Sequence, residues 1–157
     1  MLRNPIPIVL SLVLLAGCAT TKMMTPSANT RDAVMAYVNS AANVVAKSGP
    51  SCDTFSQPMW KSGDYYVFVI GPDNRLICHP NAQLIGKMQS EIVDSNGMRV
   101  GDALGAAAAS AAGHGWVDYV WPRPGTTTSV AKSTYVTRVT GPDGKVYVVG
   151  GGGYQLQ

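Results

Sequence analysis

The chain has 157 residues, 46% of them hydrophobic and 13% charged, with a formal net charge of +3. That length fits one domain with a real core. The small basic surplus is not gathered into a Lys/Arg cluster, which argues against nucleic acid as a partner.

Arg3 precedes the apolar run "IPIVLSLVLLAGC". A positive start, a short apolar stretch and small residues before a cysteine read as a secretory signal. From Ile6 to Ala16 the run reaches about 16 Å as a helix, at ~1.5 Å per residue, too short for a ~30 Å hydrocarbon core. "LAGC" resembles the bacterial lipobox, which places cleavage after residue 17 and lipid on Cys18. The expected organisation is a signal peptide over 1–17, a lipidated N-terminus and polar tether over 18–29, and one domain over 30–157. Several acyl chains, at ~0.8 kcal/mol per buried methylene, would hold the protein to a membrane of the bacterial envelope, facing the periplasm. Ala19 stands where some Gram-negative sorting systems use aspartate to retain lipoproteins at the inner membrane, which points to the outer one.

From Thr30 to Lys47 the apolar positions Val34, Tyr37, Val38, Ala41, Val44 and Val45 recur at helical spacing, with Thr30 as cap and Gly49-Pro50 as stop. Residues 50–63 read as irregular, with room for a short helical turn. "DYYVFVI" (64–70) and "RLICH" (75–79) flank the turn "GPDN" and predict a hairpin. Residues 80–97 read as loop, ending in "DSNG". The alanine-rich "MRVGDALGAAAASAAG" (98–113) predicts a second, closely packed helix. Strands follow over 115–121, 132–140 and 145–154. The loop "PRPGTTTS" joins the first pair and the turn "GPDG" the second. Short connections between consecutive strands predict an antiparallel sheet. The fold class is α+β: five strands, a leading helix, and a helix between strands two and three.

Of three cysteines, lipidation of Cys18 leaves Cys52 and Cys78 in an oxidising compartment, where a disulfide is expected in preference to two buried thiols. Such a bridge closes a loop of about 27 residues, worth roughly 3–4 kcal/mol in the chain-entropy model.

The segments "GDYYVFVIGPDNRL", "HPNAQLIGK", "DSNG", "GWVDYVWPRP", "KSTYV" and "GGGGY", in this order over residues 30–154, resemble the single Cache domain, the PAS-like extracytoplasmic sensor module of bacterial receptors. The resemblance implies a central antiparallel sheet with a long N-terminal helix behind it. It also implies a pocket on the sheet's other side for small ligands, often carboxylates. Such domains usually continue into a membrane helix and a signalling module, whereas this sequence runs only to Gln157. The expectation is therefore a lipid-anchored domain that binds or senses a small carboxylate without a signalling output of its own. A separate signalling or envelope protein is its candidate partner. The alternative is an envelope scaffolding lipoprotein with a vestigial pocket.

Candidate site residues follow from strand parity and chemistry. Adjacent strand residues point to opposite faces, so Cys78 and His79 do not form a catalytic dyad. The resemblance puts His79 at the pocket edge, where its imidazole donates to a ligand carboxylate or serves a structural hydrogen bond. Lys132 with Tyr135 is the candidate anion-recognition pair, against a surface lysine and a core tyrosine. Tyr119 and Trp121 share a face and suit a cavity wall or a core, while Trp116 has the opposite parity. Tyr66 stands with Phe68 in the same way. The Gly150–Gly153 run has no helix after it to cradle a phosphate and reads as close approach of the backbone to the pocket or a strand bulge. No metal or cofactor is expected: Cys52, Cys78, His79 and His114 lack ligand spacing. No carboxylate pair or serine–histidine arrangement supports an enzyme.

Overall fold

The computed structural model describes residues 24–157. The expected signal peptide, the expected lipidation site Cys18 and the first part of the expected tether lie outside the described residues. Helix α1 (Arg31–Ser48) starts where the Thr30 side chain accepts a hydrogen bond from the Ala33 amide, and ends at Gly49, whose φ of 77° suits glycine. Its buried stripe is Val34, Tyr37, Val38, Ala41, Ala42 and Val45. Ser51 caps a short second helix, α2 (Cys52–Ser56), within the stretch expected to be irregular with room for a short helical turn.

The strands are β1 (Val67–Ile70), β2 (Leu76–Cys78), β3 (His114–Pro122), β4 (Ser129–Thr140) and β5 (Val146–Tyr154), with helix α3 (Val100–Ala109) between β2 and β3. Two single 3-10 turns, Ala82–Leu84 and Gln89–Glu91, interrupt the expected loop. The sheet order is β2-β1-β5-β4-β3, antiparallel throughout. Three neighbour pairs join consecutive strands, as predicted, and two of them are the predicted hairpins. The fourth, β1 with β5, pairs Val67 with Gly151 across most of the chain and puts the last strand in the centre. This is the PAS-like α+β architecture.

Alternation sorts the side chains into two layers. Val67, Val69, Tyr135, Tyr147 and Val149 pack with α1, α2 and Trp60 on one face. Tyr66, Phe68, Ile70, Val117 and Val136 pack with Leu76, Ile92 and α3 on the other. Two glycines of β5 are dictated by close approach. A Cβ on Gly150 would lie 2.2 Å from the Phe68 ring, and one on Gly152 would lie 2.5 Å from Thr134 Oγ1. The glycine run is therefore where the backbone comes close to its neighbours. Cys52 and Cys78 form a disulfide with their Cα atoms 5.2 Å apart, tying α2 to the end of β2. Cys78 packs on the α1 side, while His79 turns to the opposite face beside Tyr66, with ring centroids 5.1 Å apart.

Candidate ligand site

The site is assembled from one row of the sheet. On β4, Lys132 pairs with Tyr119 of β3 on one side and Tyr154 of β5 on the other. One step along that face, Thr134 pairs with Gly152. Because Gly152 has no side chain, the lysine stem can run close over β5; a Cβ there would come within 3.0 Å of Lys132 Cε. The ammonium then reaches Tyr66, just before β1, and donates a hydrogen bond to its hydroxyl at 2.5 Å. Nζ also sits over the Tyr66 ring, 4.1 Å from its centroid, and 5.0 Å from the Tyr154 centroid. Such contacts partly offset the loss of water around a cation.

Lys132 is only 2% exposed, and no carboxylate of the described residues forms an ion pair with it. Burial pushes its pKa down to about 7. His79 is lowered to about 4, first by burial and then by the nearby lysine. The Asn81 amide donates to Nδ1 at 2.9 Å. The neutral ring therefore carries its proton on Nε2, as a donor.

Around this centre the polar groups satisfy one another. The Tyr119 hydroxyl shares a 2.8 Å hydrogen bond with Thr134 Oγ1, and burial pushes its pKa up. Tyr154 donates to the Pro122 carbonyl at 2.6 Å. Arg123 stacks over the Tyr154 ring at 4.9 Å and pairs with Asp64. Trp121 meets Tyr119 edge to face, with centroids 5.8 Å apart.

Two spaces adjoin the cluster. An inner cavity of about 30 Å³ is lined mainly by apolar side chains, among them Phe68, Ile70, Ile92, Val100 and Leu104. An outer cleft of about 600 Å³ runs between the segments around Pro80 and Pro124. Tyr66, His79, Leu84 and Trp121 line both spaces and form the boundary between them. Lys132 lies on neither wall; the Tyr66 hydroxyl stands in front of its ammonium.

Five of the six residues expected at the site, Tyr66, His79, Tyr119, Trp121 and Lys132, come together here. Tyr135 does not. Three positions from Lys132 along a regular strand, it has the opposite parity and packs against Trp116 on the α1 side, with centroids 5.3 Å apart. The alternation that separates Cys78 from His79 separates this pair as well. Two site residues escaped the sequence reading. Tyr154 shares its face with Gly152, a signal present in the parity of "GGGGY". Asp94, 8% exposed, lines the outer cleft. Its carboxylate accepts from the Asn96 and Met98 amides at 2.9 Å each and from Val120 at 3.1 Å. Burial raises its pKa, but these hydrogen bonds outweigh that effect and lower it. It thus clips the "DSNG" turn to β3. Among the described residues, no three His, Cys, Asp or Glu side chains gather as a metal site.

Residues 27–155 match the family model of Single Cache domain 2. The chain belongs to the single Cache family. A solved structure titled as the periplasmic sensor domain of a chemotaxis protein is 31% identical, with 79% of this chain and 89% of that one covered and a TM-score of 0.55. A Cache chemosensory domain, titled for its structural basis of carboxylic acid recognition, is 33% identical at a TM-score of 0.52. That match covers 60% of this chain and 63% of the other, so this chain spans less than two thirds of that sensor. A methyl-accepting chemotaxis protein from Vibrio parahaemolyticus shares the fold at 23% identity and a TM-score of 0.50, with 59% of this chain and 60% of that one covered. No curated protein matches. The two relatives above 30% identity are a chemosensory domain and a periplasmic sensor domain. No helix of the described residues is long and apolar enough to cross a membrane.

Proposed function

We propose that this Cache domain binds a small monocarboxylate and performs no chemistry on it. The observation that carries the reading is Lys132, a buried cation surrounded by neutral groups and, among the described residues, lacking an acidic partner. A charged ammonium in such a place is strongly disfavoured unless an anion joins it with good hydrogen bonds. The Tyr66 and Tyr119 hydroxyls and the His79 Nε2–H are the neutral groups positioned to complete a carboxylate's hydrogen bonding. The inner cavity supports a short hydrocarbon tail, because its mainly apolar wall offers nothing to a second charge. The 33% identical Cache sensor, titled for carboxylic acid recognition, agrees with this class of ligand. The finer cellular reading stays with the sequence: a lipid anchor on Cys18, the periplasmic face of the outer membrane, and a separate signalling or envelope protein to receive the output.

The test is calorimetry and thermal shift of the purified protein against short monocarboxylates, dicarboxylates, amino acids and the matching amides. Acetate and propionate should raise the melting temperature while acetamide does not. At 100 times Kd the stabilisation should be about 2.7 kcal/mol. A panel in which no acid stabilises the protein overturns the reading. Two observations favour a second reading, the scaffolding lipoprotein: the inner cavity is small, and Tyr66 already occupies the lysine. That protein would ignore every acid in the panel and co-purify with an envelope partner.

A further inference from the structure

Among the described residues, the groups that meet Lys132 carry no negative charge. Ahead of β1, Tyr66 supplies a hydroxyl at 2.5 Å and a ring face. From β5 comes the Tyr154 ring, and from β3 the Tyr119 phenol, itself hydrogen-bonded to Thr134 of β4. After β2 comes His79, neutral and accepting the Asn81 amide at Nδ1. Of the charged groups beyond them, Arg123 is committed to Asp64 across the Tyr154 ring and Asp94 to three backbone amides, while Lys61, a further cation, lines the outer cleft. The α3 side chains facing this space, Val100 and Leu104, are apolar.

We propose that anion capture at this site is proton-linked: at alkaline pH the unliganded pocket holds Lys132 as the neutral amine, and an arriving carboxylate brings one proton in with it. The inference rests on the carboxylate reading above and adds its regulation. The balance is simple: amine, carboxylate and one solvent proton become an ammonium–carboxylate pair, with no bond to carbon made or broken.

The sign follows from linkage. Below the unliganded lysine's own pKa, lowered to about 7 by burial, the amine is already charged and affinity is flat. Above it, each ligand takes up a proton, and affinity falls about tenfold per pH unit until the complex itself deprotonates. The surrounding groups do not supply this slope. Burial pushes the Tyr66 and Tyr119 phenols up, Tyr154 lies at about 12, and His79 stays neutral above about 4. A sensor built this way reports a carboxylate more readily in acid surroundings than in alkaline ones.

The experiment is titration calorimetry of the whole purified chain with acetate and propionate at about pH 6 and about pH 8.5. Two buffers of different ionisation heat at each pH give the proton count. In parallel, the Cε resonance of Lys132, assigned by Lys132→Arg, is followed against pH. The expected result is binding weakened more than tenfold at the higher pH, with one proton taken up there and none at the lower. Equal affinity at both values without proton uptake, or a Lys132 resonance titrating at the ordinary lysine value, overturns the proposal. Failure of both acids to bind even at the lower pH instead overturns the carboxylate reading beneath it.

Discussion

Against α1 the sheet presents Val67, Val69, Tyr135, Tyr147 and Val149; on the reverse, strands β3, β4 and β5 and the approach to β1 present Tyr119, Lys132, Thr134, Tyr154 and Tyr66. Among the described residues the three buried polar or charged side chains are Asp94, Lys132 and Thr134, and all lie on the reverse. The α1 face gains stability by excluding water from apolar groups. The reverse face gives some of that up to hold an ammonium among phenols. One face builds the fold, and the other spends part of its stability on a site.

The largest expected effect breaks the α1 face. Val149, fully buried under α1, replaced by Asp would place an unpaired carboxylate in apolar surroundings. The cost of about 4 kcal/mol or more should abolish cooperative melting. Next is the clamp between α2 and β2 on that same face. Cys52→Ser with Cys78→Ser removes a cross-link across 26 positions and should lower stability by roughly 3–4 kcal/mol, read by calorimetric melting. Because Cys78 precedes His79, weaker acid binding should accompany that loss.

Lys132→Met sharpens the comparison from the other side, since it should stabilise the unliganded protein while abolishing the acid-induced shift. A gain on the order of 1–4 kcal/mol at about pH 6 is expected, as for buried charges exchanged for apolar groups. The gain should shrink with pH. In the native protein the lysine titrates at about 7 folded and at its ordinary 10.5 unfolded. Between those values the unfolded chain binds more protons, so native stability rises with pH and approaches that of the variant. Melting both proteins at about pH 6 and about pH 9 checks the convergence. A variant less stable than the native protein at both values would deny that the lysine is a burden on the fold.

What was legible in the sequence was mostly local. Helical spacing gave α1, the turns "GPDN" and "GPDG" gave two hairpins, and parity separated Trp116 from Tyr119 and Trp121. Pairing of β1 with β5 carries no local signal, because Val67 and Gly151 meet only after the whole chain has folded. The role of Gly152 as the gap over which Lys132 runs depends on that same central placement. Asp94 looked like an ordinary turn residue because its contacts, apart from the Val120 amide, are to its own turn.

The smallest expected effect concerns Tyr135, which the sequence placed beside the lysine. Tyr135→Phe removes only the hydroxyl of a ring packed between His114 and Trp116 on the α1 side. Stability should change by less than about 1 kcal/mol, the net worth of an ordinary hydrogen bond. Acid affinity should stay within about twofold, since less than 0.5 kcal/mol reaches the other face. Tyr66→Phe, by contrast, removes the hydroxyl that meets the ammonium and should weaken binding severalfold. If the two variants weakened acid binding equally, the faces would be coupled through the sheet, and their division of labour would fail.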